Sequence, residues 1–203
     1  MKQDWTGDDK SIYARLGATN HSRTGERPES DYYATDPESL EIFLHKLGED
    51  NITLNTNIWE CAAGDGALSN VLKKYGYRVR SSDIYKRGFE DNEIIDFLEA
   101  QERWDGDILS NPPYSLAQEF VEKALECVQD GSKVIMYLHL QFLESKGRRE
   151  LFDTNPPKYI YVNSARQVCY KNGDTTRKMS SAVCYCWFIW EKGYQGDPII
   201  KWI

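Results

Sequence analysis

A strand that runs into two consecutive prolines has to leave its sheet, and this chain contains one such exit. Asp107-Ile108-Leu109-Ser110 sets apolar residues behind an acid, as the end of a buried strand does, and Asn111-Pro112-Pro113-Tyr114 follows at once. Proline has no N–H to give to a ladder, so the strand stops here. Left at its carboxyl end are a carboxamide, a carbonyl whose direction a proline ring fixes, and an aromatic ring. In open α/β sheets that edge is where ligands bind. A proline pair after a strand is also the ordinary recipe for a rigid loop, so the reading needs a second element.

That element lies upstream, where Asn57-Ile58-Trp59-Glu60-Cys61-Ala62-Ala63-Gly64-Asp65-Gly66-Ala67-Leu68 passes from an apolar strand through small residues into a helix. Gly64 and Gly66 permit a tight turn and close approach of backbone to a ligand, although Gly-x-Gly alone is weak evidence. Leu68, Val71, Leu72 and Tyr75 follow at helical spacing, Gly76 gives a carboxyl-terminal stop, and Tyr77 to Ile84 reads as a second strand tipped by Asp83. An acid there, about twenty residues past the glycines, is placed to accept hydrogen bonds from ribose hydroxyls. Strand, glycine turn, helix, strand, acid is a nucleoside-binding unit.

The remaining segments fit one α/β domain. Asp36 followed by Pro37 suits a helix N-cap and first helical position, and Leu40, Phe43, Leu44 and Leu47 form one apolar stripe behind them. Leu116 to Val128 reads as a helix and Lys133 to Leu140 as a buried strand. Phe142 to Asp153 is predicted helical and carries Lys146, Arg148 and Arg149, by default a solvated face and alternatively a phosphate contact. Asn155-Pro156-Pro157-Lys158-Tyr159 resembles the opening motif, but its prolines precede a strand, Tyr159 to Val162, and it reads as a loop. Residues 163–180 are polar and basic, with Arg166, Lys171, Arg177 and Lys178, and long loops in compact domains are often functional. Ser181 to Trp190 is β-rich, and Pro198 to Ile203 closes the chain.

Composition narrows the class further. With 203 residues, 40% hydrophobic, the chain is long enough for one substantial core. Residues 1–30 are polar and form an arm or a flap over a ligand, with Asn20, His21 and Arg23 its candidate contacts; residues 31–203 are one domain. No apolar run reaches the roughly 18 residues of a membrane span, and the amino terminus lacks a signal peptide's apolar core, which predicts a soluble, cytoplasmic protein. Five cysteines are then expected to be reduced, with Cys184 and Cys186 as buried thiols on one strand face. The three histidines show no metal-ligand spacing, so no metal is predicted. A formal charge of −7 argues against an indiscriminate nucleic-acid binder without excluding DNA, because distribution counts for more than the sum.

Taken together, Tyr32-Tyr33-Ala34-Thr35-Asp36-Pro37, Glu60 to Gly66, Asp83, Asp96-Phe97 and Asn111 to Tyr114 resemble the class I S-adenosylmethionine-dependent methyltransferases of the amino-methylating branch. In particular they resemble the small DNA N6-adenine methyltransferases of phages and prophages. The resemblance spans Tyr32 to about Leu140. It implies a Rossmann-like α/β fold: a mostly parallel seven-stranded sheet, helices on both faces, and a final hairpin with one antiparallel strand. It implies S-adenosylmethionine as cofactor, with Tyr33, Thr35 and Pro37 near its methionine end and Glu60, Ala62, Gly64 and Gly66 at the glycine loop. Glu60 would order that loop and accept from the cofactor's amino group. Asp83 would hold the ribose, Ile84 and Phe97 would flank the adenine ring, Asp96 would accept from its amine, and Asn111 would border both ligands.

The catalytic group is then Asn111, Pro112, Pro113 and Tyr114. A planar amine is a poor nucleophile because its lone pair is delocalised. Acceptance of its two hydrogens by the Asn111 side-chain oxygen and the Pro112 carbonyl would stabilise the developing positive charge, while Tyr114 stacks on the ring. The predicted reaction is methylation of adenine N6 in DNA after base flipping. Glutamine N5 methylation of a protein, adenine N6 methylation of RNA, and a catalytically silent cofactor-binding or partner-binding relative are the alternatives. Lack of a proline-cysteine nucleophile disfavours cytosine C5 chemistry. Target recognition would have to come from residues 142–180 or from a partner or oligomer.

Overall fold

A computed structural model of the chain describes residues 33–164, 170–171 and 184–203. The predicted amino-terminal arm, residues 1–30, lies outside the described residues. The strands are β1 (Tyr33–Ala34), β2 (Asn57–Glu60), β3 (Arg78–Asp83), β4 (Asn92–Ile94), β5 (Asp107–Ser110), β6 (Lys133–His139), β7 (Tyr159–Val162), β8 (Tyr170–Lys171), β9 (Tyr185–Glu191) and β10 (Ile199–Trp202). The α-helices are α1 (Pro37–Glu49), α2 (Ala67–Lys74), α3 (Ala117–Cys127) and α4 (Arg149–Thr154). Eight strands form one sheet in the order β10-β7-β9-β6-β5-β2-β3-β4, and β1 pairs separately with β8. Within the large sheet only β9 runs antiparallel to its neighbours, β6 and β7.

Two corrections follow for the expected seven strands and final hairpin. The sheet has eight, and β10 does not fold back on β9. It crosses over to lie parallel to β7 at the sheet edge, with Ile199 opposite Tyr159 and Trp202 opposite Val162. The predicted helix over Phe142–Asp153 is also shorter. Two 3₁₀ turns, Leu140–Leu143 and Lys146–Arg148, come first, and only Arg149–Thr154 is α-helical.

Why both faces are covered is visible in the period-two alternation of the central strands. Trp59, Ile108, Val134, Met136, Phe188 and Trp190 point into a core shared with Phe120, Val121 and Leu125 of α3 and Leu151 of α4. Ile58, Leu109, Ile135, Tyr137, Trp187 and Ile189 point into the opposite core, shared with Leu40, Phe43 and Leu47 of α1 and Leu68 and Leu72 of α2. Phe43 lies flat on Trp187, ring centroids 4.7 Å apart. Strands buried on both sides have no polar face, which is how parallel sheets read.

The start of β5 is pinned as firmly as its core. Asp107 is buried, and its carboxylate accepts the Asn55 and Lys133 backbone N–H groups, each at 2.7 Å. It thereby ties the lead-in to β2 and the first residue of β6 to β5, so the Asn111 end leaves the sheet from a fixed base. The paired cysteines part company: Cys186 is buried as expected, whereas Cys184 is exposed.

Candidate active site

Parallel β2, β3, β5 and β6 deliver Glu60, Asp83, Asn111 and His139 to the same carboxyl edge of the sheet. Between β2 and α2 the chain turns through Gly64 and Gly66, at φ 58° and 81°. Both values lie in the left-handed region that favours glycine. At Gly66 space is a further constraint, because a Cβ would sit 2.5 Å from the Phe89 ring. The loop after β3 therefore folds back onto the glycine turn. Asp65 serves as a turn residue, its Oδ1 accepting Ala67 N–H at 3.3 Å.

Asp83 organises both loops. Its Oδ2 accepts the Gly64 N–H at 3.0 Å and its Oδ1 accepts the Tyr85 N–H at 2.9 Å, with the Arg87 guanidinium 4.0 Å away. The next residue, Ile84, is 37% exposed although it is large and apolar. The residue expected to wall the adenine ring is thus an uncovered isoleucine that follows a buried acid. Ala62 is half-buried at the same turn. These residues form a donor, acceptor and apolar set that fits a nucleoside.

Glu60 is placed differently from expectation. It is 1% exposed, and its carboxyl accepts from Ser69 Oγ of α2, which lies 2.6 Å from Ser81 Oγ of β3. Burial pushes it up to about 8, against the opposing pull of the Ser69 hydrogen bond. It therefore supports the glycine turn from beneath and does not present itself to a ligand's amino group. Phe97 is likewise in the core, 2% exposed, edge-on to Trp59 at 5.2 Å and tilted on Phe120 at 5.3 Å, so the structure does not set its ring beside an adenine. Asp96 caps the 3₁₀ turn that holds Phe97, accepting Leu98 N–H at 3.2 Å.

At the end of β5, Pro112 is buried and Asn111, Pro113 and Tyr114 are half-buried. The Pro113 carbonyl is used locally, accepting the Leu116 N–H at 2.9 Å to start the 3₁₀ turn Tyr114–Leu116. Among the described residues no hydrogen bond occupies the Pro112 carbonyl, the one the sequence marks as an acceptor. Asn111 Nδ2 donates to Thr35 Oγ1 at 2.8 Å. Thr35 is thus brought to the Asn-Pro-Pro-Tyr turn, while Pro37 opens α1 behind the Asp36 cap, whose Oδ1 accepts Glu38 N–H at 3.0 Å. Tyr33 pairs with Lys171 through the β1–β8 ladder.

Sequence reasoning missed His139 and Tyr185. The His139 ring centroid is 4.0 Å from that of Tyr114, and Tyr185 closes the group at 4.8 Å from His139 and 6.0 Å from Tyr114. The available signal was a polar residue ending an apolar strand next to the motif's own strand. The basic cluster, by contrast, is partly structural. Arg148 donates to the carbonyls of Phe142, Gln141 and Glu144 at 2.7, 3.3 and 2.7 Å and lies over the Phe142 ring. Arg149 pairs with Asp153 at 2.7 Å, and Lys146 is exposed. Arg166, Arg177 and Lys178 lie outside the described residues, as do Asn20, His21 and Arg23. Among the described residues no acid, histidine or cysteine cluster has the makings of a metal site, and no helix is long and apolar enough to cross a membrane.

No family model and no curated protein matches the chain. Solved structures do. A proposed RNA methyltransferase from Pyrococcus horikoshii superposes with a TM-score of 0.59 at 15% identity, over 79% of this chain and 86% of that one. A proposed class I S-adenosylmethionine-dependent methyltransferase from Listeria monocytogenes gives 0.60 at 15%, over 88% and 67%. The methyltransferase subunit of a type I restriction-modification system from Streptococcus thermophilus gives 0.62 at 12%, over 84% of this chain and 47% of the subunit. Together with the strand order and the single antiparallel strand, these likenesses give the chain the Rossmann-like α/β fold of the class I methyltransferases.

Proposed function

We propose that the protein transfers a methyl group from S-adenosylmethionine to the exocyclic N6 amine of adenine in DNA. The observation that carries this reading is the Asn111-Pro112-Pro113-Tyr114 turn at the carboxyl end of β5, beside the Asp83-braced glycine loop. The cofactor would lie across Ala62, Gly64 and Gly66, with Asp83 on its ribose, Ile84 against its adenine and Asp96 near the adenine amine. Bound there, it supplies a methyl group already activated on a sulfonium. What remains for the protein is orientation and charge stabilisation. Asn111 Oδ1 and the Pro112 carbonyl accept the two amine hydrogens, so the lone pair is released from the ring and turned toward the methyl group. Tyr114, held by His139, offers a stacking face, a contact worth roughly 1–3 kcal/mol per base. In duplex DNA the adenine must first be flipped out.

DNA is favoured as partner by the likeness to the restriction-modification subunit together with this motif. The Pyrococcus likeness supports RNA as a second reading. Glutamine in a protein offers the same amide geometry to the motif. Exposed Lys146, with Lys171, Arg166, Arg177 and Lys178 of residues 163–180, would meet phosphate. The test is transfer of labelled methyl from S-adenosylmethionine to DNA, RNA and protein pools, followed by digestion. Label is expected in N6-methyladenine from DNA. Label in methylglutamine alone, or in RNA alone, overturns the DNA assignment, and label in none of the pools overturns the enzymatic reading.

A further inference from the structure

A carboxamide that has to accept a hydrogen bond faces an ambiguity, since its two ends have equal reach and only the oxygen accepts. The terminal torsion of asparagine is broad and roughly two-fold, so the side chain does not choose for itself. At Asn111 the nitrogen end is the one turned to a residue 76 positions earlier in the chain. Asn111 Nδ2 donates to Thr35 Oγ1 at 2.8 Å, and Thr35 is 4% exposed, so water does not compete for the bond.

Thr35 itself is anchored on both sides. The next residue, Asp36, caps α1 through its side chain to Glu38 N–H and through its carbonyl to Ser39 N–H, both at 3.0 Å. The preceding residue, Ala34, pairs with Tyr170 in the β1–β8 ladder. The hydroxyl is therefore delivered by a segment fixed to a helix cap and to β8. An amide hydrogen-bonded through its nitrogen to a fixed partner presents its oxygen on the other arm.

From this we infer that Thr35 is the positioning residue for Asn111: it holds the nitrogen end so that the oxygen end faces the acceptor amine, and it touches no reacting atom. The inference rests on the methyl-transfer reading of the site. It also separates Thr35 from the cofactor contact that the family resemblance implies for it, because the two roles load different kinetic constants.

The test compares Thr35→Val, which keeps shape and removes the hydroxyl, with Thr35→Ser, which keeps the hydroxyl. Thr35→Val is expected to slow single-turnover methyl transfer about tenfold, the effect of one lost hydrogen bond, with the Kd for S-adenosylmethionine changed by less than about twofold. It is also expected to shift the side-chain amide N–H resonances of Asn111, which Asn111→Ala identifies by deleting them. Thr35→Ser restores both rate and resonances. Cofactor affinity that falls in step with the rate would make Thr35 a cofactor contact and overturn the inference. Unchanged Asn111 resonances in a Thr35→Val protein with an otherwise native spectrum would overturn it whatever the rate does. Should the wild-type protein transfer no methyl group to any acceptor, the proposed function falls, and the resonances alone decide for or against Thr35.

Discussion

The Asp83 carboxylate accepts the backbone N–H of Gly64 at 3.0 Å across the gap between two parallel strands. The same side chain accepts Tyr85 N–H at 2.9 Å, so the acid read in the sequence as a ribose ligand is also the brace of the glycine turn. Asp83→Ala should therefore lower cofactor affinity and also destabilise the unliganded protein, by about 1–3 kcal/mol for N–H groups left without their acceptor. Asp83→Asn keeps one acceptor oxygen and should lose less stability. Calorimetric titration with S-adenosylmethionine and denaturant melts of both variants check this. A stability unchanged in Asp83→Ala would mean that the brace does not contribute.

Gly66 and Gly76 share a positive φ, 81° and 89°, but not their surroundings. A Cβ at Gly66 would meet Phe89, whereas one at Gly76 would meet nothing within 4 Å. Gly76→Ala should therefore show backbone strain alone, about 1–2 kcal/mol. Gly66→Ala should cost more than this, and Gly66→Ala combined with Phe89→Ala should recover part of the difference. Urea midpoints of the four proteins measure each step.

How much of this could be read from the chain depends on how local each signal is. Pro112, Pro113, Gly64 and Gly66 constrain their own backbone, so the turn after β5 and the glycine loop stand out without any tertiary information. Asp83 was legible for the same reason, as an acid ending an alternating strand. The Thr35–Asn111 bond joins residues 76 apart, and only the folded sheet sets them together. His139 carried only the weak signal of a polar residue ending an apolar strand, and its meaning comes from the neighbouring strand's register. Arg148 was misread because a basic residue in sequence looks solvated, and the carbonyls that hold it belong to a turn the helical pattern did not reveal. The edge strand β10 was misassigned because strand adjacency follows crossing geometry that sequence order does not encode.

Glu60 predicts a pH dependence of stability. Burial raises its carboxyl from 4.5 to about 8 in the folded chain. Below the unfolded value both states carry the proton. Between the two values the folded state binds more protons than the unfolded one, so stability falls as pH rises, by at most about 1.4 kcal/mol per pH unit from this group. The loss is complete above pH 8. Asp107, whose pKa burial also raises, adds to the same trend. Glu60→Gln keeps an acceptor for Ser69 and cannot ionise. It should flatten the profile between pH 5 and 8 and be the more stable protein at its upper end. Melts across that range decide; parallel profiles for the two proteins would rule out Glu60 as the source.

Asn111→Ala removes an acceptor oxygen from the proposed amine site while leaving Asp83, Gly64 and Ile84 in place. Methyl transfer should drop at least about a hundredfold, as when one oxyanion-type group is deleted. Cofactor affinity should change little. Equal loss of both would make Asn111 a structural support of the loop.

Arg148 and Lys146 stand two residues apart in the same 3₁₀ turn and should behave oppositely. Arg148 gives three hydrogen bonds to carbonyls of the preceding turns and covers Phe142, and burial lowers its pKa, so its charge is committed to holding that segment. Arg148→Ala should destabilise the fold by about 1–3 kcal/mol, because carbonyls lose a charged donor. If the protein binds DNA as proposed, the salt dependence of that binding should not change. Lys146 is exposed, and Lys146→Ala should leave stability within about 0.5 kcal/mol of the parent. If Lys146 meets a phosphate, the slope of log affinity against log salt should fall by about one unit for that variant alone. Binding isotherms at several salt concentrations, with melts of the same proteins, separate the two residues. A reduced slope in a normally stable Arg148→Ala protein would return Arg148 to the proposed phosphate contacts and assign its carbonyl contacts to the unliganded state.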